Sequence, residues 1–137
     1  MPADTLTDPI TGLLNSAKTI AVVGLSSNPL RPSYGVAAYM QMNGYHIIPV
    51  NPSINGALGE KAYPDLKSVP EKIDIVNIFR RSDQVAEVVE EAIRLKVPCV
   101  WMQEEVVDEA SAEKARKAGI LVMMDSCILK EHRKRHR

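Results

Sequence analysis

The residues with the clearest potential for chemistry follow an apolar segment near the amino terminus. After TIAVV at 19–23 the sequence continues GLSSNPLRPSY, and a helical pattern begins there. Gly24 permits a tight backbone turn, and hydroxyl and amide groups at a helix N-terminus attract anions because the helix dipole is positive there. We therefore predict an anion site. Its candidate residues here are Gly24, Ser26, Ser27, Arg31, Ser33 and Tyr34.

An ordinary strand-to-helix loop is the alternative, because one glycine falls short of the Gly-x-Gly-x-x-Gly pattern of dinucleotide-binding loops. Such loops are also followed, about 20 residues on, by an acidic residue that binds the ribose. Here the second apolar segment ends in Asn51 and Pro52 instead. The absence of that carboxylate weakens an NAD(P) site and favours a ligand that carries more phosphate.

Further candidates follow the later apolar segments. Phe79 and two arginines, Arg80 and Arg81, come after the third segment. Guanidinium groups suit phosphate because they offer a fork of donors and stay charged. For Arg81 the alternative is an ion pair with Asp83 or Glu87. The remaining candidates are Asn51, Pro52, Lys61, Gln103 and Glu104, whereas Trp101 is predicted to lie in the core.

The apolar segments have the length and continuity of parallel strands covered on both faces. They span Thr19 to Val23, His46 to Val50, Ile73 to Phe79, Cys99 to Met102 and Ile120 to Met124. Pro52 to Pro70, rich in proline and glycine, is predicted as a loop with one short helical turn. Ligands of such sheets bind beyond the carboxyl ends of the strands.

Helical patterns alternate with these segments. They cover an N-terminal stretch capped by Asp8, Tyr34 to Asn43 before Gly44, a stretch after Ser82, and Asp108 to Gly119. The alternation predicts an α/β fold. We expect one Rossmann-like domain over residues 1–137, with a doubly wound, mainly parallel five-stranded sheet and helices on both faces. Within this domain we expect residues 1–17 to form an N-terminal helical segment. Residues 130–137 are expected to form a basic tail that is solvated and frayed, and contact with phosphate or a partner is the alternative.

Composition limits the function classes. The 17 basic and 17 acidic residues balance, so a basic nucleic-acid-binding surface is not expected. Neither a membrane helix nor a secretory signal is predicted, so we expect a cytoplasmic protein. Cys99 and Cys127 lack the spacing of a zinc site or a redox dithiol. Cys127 follows the last strand, and we keep open a reactive role such as a mixed disulfide with a thiol ligand.

The succession of these segments resembles the stand-alone CoA-binding protein family, which is related to the CoA-binding domain of the succinyl-CoA synthetase alpha subunit. The resemblance runs from Lys18 to His132. It is carried by VGLS at 23–26, RPSYGV at 31–36, GY at 44–45, PVNP at 49–52, FRR at 79–81, WMQ at 101–103 and DSC at 125–127.

The resemblance implies that CoA lies across the strand ends and that the candidate residues named above bind it. Two departures from the family pattern stand out. Glu104 and Glu105 occupy a turn in which relatives often have glycine, and this adds negative charge and stiffness near the ligand. Relatives often carry arginine where Ser126 stands.

The ligase relatives phosphorylate a histidine on a further domain, and the histidines of this chain are not placed to replace it. We therefore expect non-catalytic binding of CoA or an acyl-CoA, as a carrier, sensor or regulatory subunit. One alternative is a CoA-dependent ligase or acyl-transfer component that needs a partner chain. The other is a small NAD(P)-dependent oxidoreductase. A protein partner or a homo-oligomer stays open.

Overall fold

The computed structural model describes residues 8–136 and contains a five-stranded parallel sheet. Its strands are Thr19–Val23 (β1), His46–Val50 (β2), Ile75–Ile78 (β5), Cys99–Met102 (β6) and Leu121–Met123 (β7), in the order β2-β1-β5-β6-β7. Gly56–Ala57 (β3) and Glu60–Lys61 (β4) form a short antiparallel hairpin. The winding of the main sheet therefore reverses between β1 and β5.

Within residues 8–136, five α-helices cover the two faces of this sheet. They are Pro9–Ser16 (α1), Pro32–Met42 (α2), Val85–Leu95 (α3), Glu109–Lys117 (α4) and Ile128–Arg135 (α5). Apolar residues of α1, α2 and α5 share one core cluster, and those of α3 and α4 share the other. This arrangement confirms the predicted doubly wound Rossmann-like α/β fold.

Alternate residues of each strand point into the two clusters. In β1, Ile20 and Val22 pack with α1 and α2, while Ala21 and Val23 pack with α3. All four are at most 3% exposed. Because both faces are covered, the central strands read as unbroken apolar runs. Trp101 is fully buried, as predicted.

Several element boundaries differ from the prediction. The third strand begins at Ile75 and not at Ile73, because the Asp74 carboxylate instead accepts hydrogen bonds from the amides of Lys18, at 2.8 Å, and Thr19, at 3.1 Å. Asp8 caps α1 as predicted, and Asp108 caps α4. Ser82 does not cap α3; its hydroxyl oxygen accepts from the Val107 amide at 2.9 Å.

The segment from Pro52 to Pro70 holds more structure than the predicted loop. In addition to the short helical turn at Leu66–Ser68, it contains the β3–β4 hairpin, which lies along the edge of β2. Hairpins this short carry no usable periodicity.

The basic segment at 130–137 is helical over most of its length, so the prediction of a frayed tail was wrong. Ile128 and His132 are buried on the inner side of α5. At the end of α5, Arg135 donates to Thr11 Oγ1 at 2.7 Å and pairs with Asp8 at 3.2 Å. Buried apolar contacts and these tethers to α1 hold the helix in place. No helix within residues 8–136 is long and apolar enough to span a membrane.

Candidate functional site

The candidate site lies at the carboxyl ends of β1 and β5, where the winding reverses. Gly24 leaves β1 with φ +90°, a conformation that favours glycine. Its amide donates to Val50 O at 2.8 Å, and its Cα lies against the carbonyl group of Phe79. Because the winding of the sheet reverses here, the loop after β1 and the loop after β5 run in opposite directions, and a crevice opens between them.

A cleft of about 620 Å³ occupies this crevice, a volume in the range of small-molecule sites. Its lining brings together most of the residues predicted from the sequence. These are Gly24, Ser26, Arg31, Ser33, Asn51, Phe79, Arg80 and Gln103. Ser53, Ile54, Arg81, Glu104, Glu105 and Val106 also line it.

Four predicted residues do not line this cleft. Ser27 and Pro52 are exposed on their loops, and Tyr34 lies in the first turn of α2. Lys61 is in β4, and its ammonium group lies 5.4 Å from the ring centroid of Tyr63. The hairpin runs beside β2, so Lys61 lies along the edge of the sheet and not at its rim.

The loop between β1 and α2 is held by its own side chains. Ser33 Oγ accepts from the Ser26 amide, Ser26 Oγ from the Asn28 amide and Asn28 Oδ1 from the Leu30 amide, each at 3.0 Å. Several amides that could bind an anion are therefore already paired. Among residues 8–136, the amides of Ser27 and Ser33 have no hydrogen-bond partner. The loop is thus preformed, and Ser33, the one of these two residues that lines the cleft, keeps its amide for a ligand.

Arg80 carries an unusual polar group. Its Nε is buried and has no hydrogen-bond partner in the part of the chain that the structure describes. A buried unpaired donor costs about 1–3 kcal/mol, which an acceptor on a ligand would recover. Arg80 also lines a cavity of about 250 Å³ on the α3 side, beside Asp65 and Glu87. Arg81, by contrast, pairs with Asp83 at 3.1 Å, which was the alternative considered for it.

Gln103 links the cleft to α5. The residue is only 5% exposed, and its Oε1 accepts from Asn77 Nδ2 at 3.2 Å and from the Ile128 amide at 3.3 Å. Its Nε2 donates to no residue in the described range. Asn77 was missed in the sequence analysis, although one asparagine inside an apolar strand is a signal, because a buried amide needs partners.

Carboxylates border the far side of the cleft. Glu104 pairs with Lys130 at 2.7 Å, and this hydrogen bond is the main cause of the raised pKa of Lys130. Glu105 has φ +69°, and its amide donates to Asp125 Oδ1 at 2.7 Å. A left-handed backbone at this position explains why glycine suits the turn, as the family pattern suggested.

The fold and the cleft at the switch point define a Rossmann-like α/β protein. More narrowly, the chain belongs to the CoA binding domain family, whose model matches residues 18–133.

Three relatives illustrate the range of this family. The chain is 47% identical over 120 residues to the uncharacterized protein YneT of Bacillus subtilis, covering 88% of this chain and 89% of that protein. The solved structure of a hypothetical protein from Pyrococcus horikoshii is similar to this one with a TM-score of 0.90. The two proteins are 36% identical in sequence, and the match covers 98% of this chain and 95% of the Pyrococcus chain. An ADP-forming acetate–CoA ligase of Archaeoglobus fulgidus is 32% identical over 76 residues, which cover 54% of this chain and 11% of the ligase.

Proposed function

We propose that this protein binds coenzyme A, free or as an acyl-CoA, in the cleft at the carboxyl ends of β1 and β5. In this proposal it catalyses no reaction unaided and serves as a carrier, sensor or regulatory subunit. The unpaired, buried Nε of Arg80, a residue that lines both the cleft and the cavity on the α3 side, is the observation that carries the proposal. Membership of the CoA binding domain family adds to it.

The residues present fit the chemistry of CoA. The ligand has a diphosphate and a ribose phosphate, which need several donors. Arg31 and Arg80 supply cationic forks, and the amide of Ser33 lies in the first turn of α2, where the helix dipole favours anions. Gln103 offers an unpaired amide N–H group at the wall of the cleft. When bound, CoA would supply a reactive thiol.

The non-catalytic part of the proposal rests on where the histidines lie. His46 opens β2, at the opposite end of the strand from the cleft. His132 and His136 lie on or after α5, next to Tyr45 and Lys18, in a cavity that shares no lining residue with the cleft. A histidine that acted on a bound ligand would need to lie within hydrogen-bond reach of it.

A ligase component is the second candidate, because part of the chain resembles an ADP-forming acetate–CoA ligase. Such a component would need a partner chain. Activity that arises only after mixing with that partner would favour this candidate.

We further propose that residues 1–137 act as one domain in the cytoplasm, where reduced cysteines are the rule, since Cys99 and Cys127 are unpaired in the described structure.

Isothermal titration calorimetry with CoA, acetyl-CoA, dephospho-CoA and NADP⁺ tests the proposal. We expect CoA and acetyl-CoA to bind with similar affinity and NADP⁺ to bind far more weakly. Mass spectrometry of the natively purified protein should identify CoA as the small molecule that co-purifies. Tight binding of NADP⁺ with no binding of CoA would overturn the proposal, and turnover of an acyl-CoA by the pure protein would overturn its non-catalytic part.

A further inference from the structure

A second opening continues from the cleft toward α5. It has a volume of about 810 Å³, and Asp125, Val36 and Cys127 are part of its lining. It shares lining residues with the cleft, namely Pro32, Phe79, Gln103, Glu104 and Glu105. The two openings therefore form one trough that runs from Gly24 and Arg80 to Cys127.

Cys127 is held firmly at the end of this trough. It is the residue before α5, and both of its neighbours are anchored to residues at the end of β6. The carbonyl oxygen of Ser126 accepts from Trp101 Nε1 at 2.9 Å, and the amide of Ile128 donates to Gln103 Oε1 at 3.3 Å. Cys127 thus has a fixed position in the lining of the trough and is 7% exposed.

Gln103 gives independent evidence of a ligand in the trough. Its side chain is nearly buried, lines both openings, and has an Nε2 group with no partner within residues 8–136. Among the described residues only Arg80 Nε is a buried side-chain nitrogen without a partner, so the Nε2 group of Gln103 is accessible and can meet an acceptor on a ligand. The arm of CoA that ends in the thiol contains amide carbonyls, and these are acceptors of the required kind.

Cys127 also lies close to positive charge. The residue comes directly before α5, whose N-terminus is the positive end of the helix dipole. Lys130, one turn further on, is close enough for a charge on Cys127 to contribute to the raised pKa of that lysine, after the larger effect of Glu104. Cys99 differs sharply, because complete burial in β6 raises its pKa to about 12.

We infer that Cys127 forms a mixed disulfide with CoA held in the trough. The inference rests on the proposed function. The co-reactant is the symmetrical disulfide of CoA. The Cys127 thiolate attacks one of its two sulfur atoms, a Cys127–CoA disulfide forms as the original S–S bond breaks, and the second CoA leaves as a thiolate that takes up the proton lost by Cys127. No further oxidant is needed, because the departing sulfur is reduced as the cysteine is oxidised.

Intact-mass spectrometry after incubation with CoA disulfide tests the inference. Oxidised pantetheine is the matched probe, since it has the same thiol arm and lacks the nucleotide. We expect an adduct of one CoA on Cys127, formed roughly tenfold or more faster than the pantetheine adduct, because nucleotide binding raises the effective concentration of the disulfide. Arg80→Ala should slow the reaction with CoA disulfide, whereas Arg94→Ala, on the exposed side of α3, should leave it unchanged.

Variants at the two cysteines complete the test. Cys127→Ser should abolish the adduct, and Cys99→Ser should retain it. If calorimetry shows CoA binding but no adduct forms, the inference fails while the proposed function stands. If CoA does not bind, the proposed function itself fails. Equal rates with the two disulfides would also overturn the inference, because the cysteine would then react without help from the CoA site.

Discussion

Gly24 and the carbonyl group of Phe79 lie in direct contact at the point where β1 and β5 separate. A Cβ atom at position 24 would overlap the Phe79 oxygen and lie 3.0 Å from the carbonyl carbon. The contact fixes the spacing of the two loops that line the cleft. Gly24 is therefore needed for its φ of +90° and for its lack of a side chain.

Gly24→Ala should destabilise the protein by about 1–3 kcal/mol, because it adds left-handed strain and a clash with backbone atoms. It should also weaken CoA binding, since relief of the clash must separate the loops. Gly12→Ala is the control: a Cβ there meets nothing within 4 Å, and alanine suits the interior of α1. Urea denaturation measures both variants, and equal stabilities would contradict the argument.

Arg80→Ala should reduce the affinity for CoA by about 1–3 kcal/mol if its guanidinium group meets phosphate. Arg80→Lys keeps the charge and loses the fork of donors, so we expect an intermediate loss. Arg94→Ala, on the exposed side of α3, should leave the affinity unchanged. Calorimetry over a range of salt concentrations gives the result, and an unchanged affinity of Arg80→Ala would remove this residue from the site.

Glu105 combines backbone strain with negative charge at the border of the cleft. Glu105→Gly should stabilise the protein by about 1 kcal/mol, because glycine adopts φ +69° without penalty. It should also raise the affinity for CoA by about 0.5–1 kcal/mol through the loss of charge repulsion. Glu105→Gln separates the two effects, since it should improve affinity without the gain in stability. Thermal unfolding and calorimetry measure them, and a Glu105→Gly variant less stable than the parent would refute the strain argument.

His132 should make the protein sensitive to acid. Its Nδ1 lies 2.8 Å from the hydroxyl group of Tyr39, and its ring stacks on His136 and meets the edge of Tyr45. Burial, followed by the charge of His136, lowers the pKa of His132 from 6.5. The folded protein therefore favours the neutral form of the His132 ring. The stability that this neutral ring contributes is complete above pH 6.5, and it is lost as the pH falls below 6.5 and the ring becomes protonated.

Chemical denaturation at pH 7.5 and pH 5.5 measures this dependence. His132→Gln, which keeps a polar partner for Tyr39, should reduce the difference in stability between the two pH values. His46→Gln removes a histidine whose ring contacts Glu60 and Glu71, and this variant should retain the loss that is due to His132. If His132→Gln is as sensitive to acid as the parent, the buried histidine is not the cause.

The sequence by itself determined the class of fold and most of the cleft. Unbroken apolar runs alternate with amphipathic helices, and this pattern leaves few arrangements other than a parallel sheet covered on both faces. The carboxyl ends of parallel strands lie at the same edge of the sheet. The residues that directly follow each strand in the sequence can therefore be assigned to that edge without a structure. Gly24, Arg80 and Gln103 were found in this way, and the structure places all three in the cleft.

The tertiary structure decided which donors remain for a ligand. The pairing of Ser26 with Ser33, the unpaired Nε of Arg80 and the link from Asn77 through Gln103 to Ile128 all depend on contacts between segments distant in the chain or on loop geometry. Such contacts have no local signal in the sequence. The same reason explains the basic segment, whose charges predicted a solvated tail. Its helix is stabilised by burial of His132 and by the tether of Arg135 to Asp8, a residue at the other end of the chain.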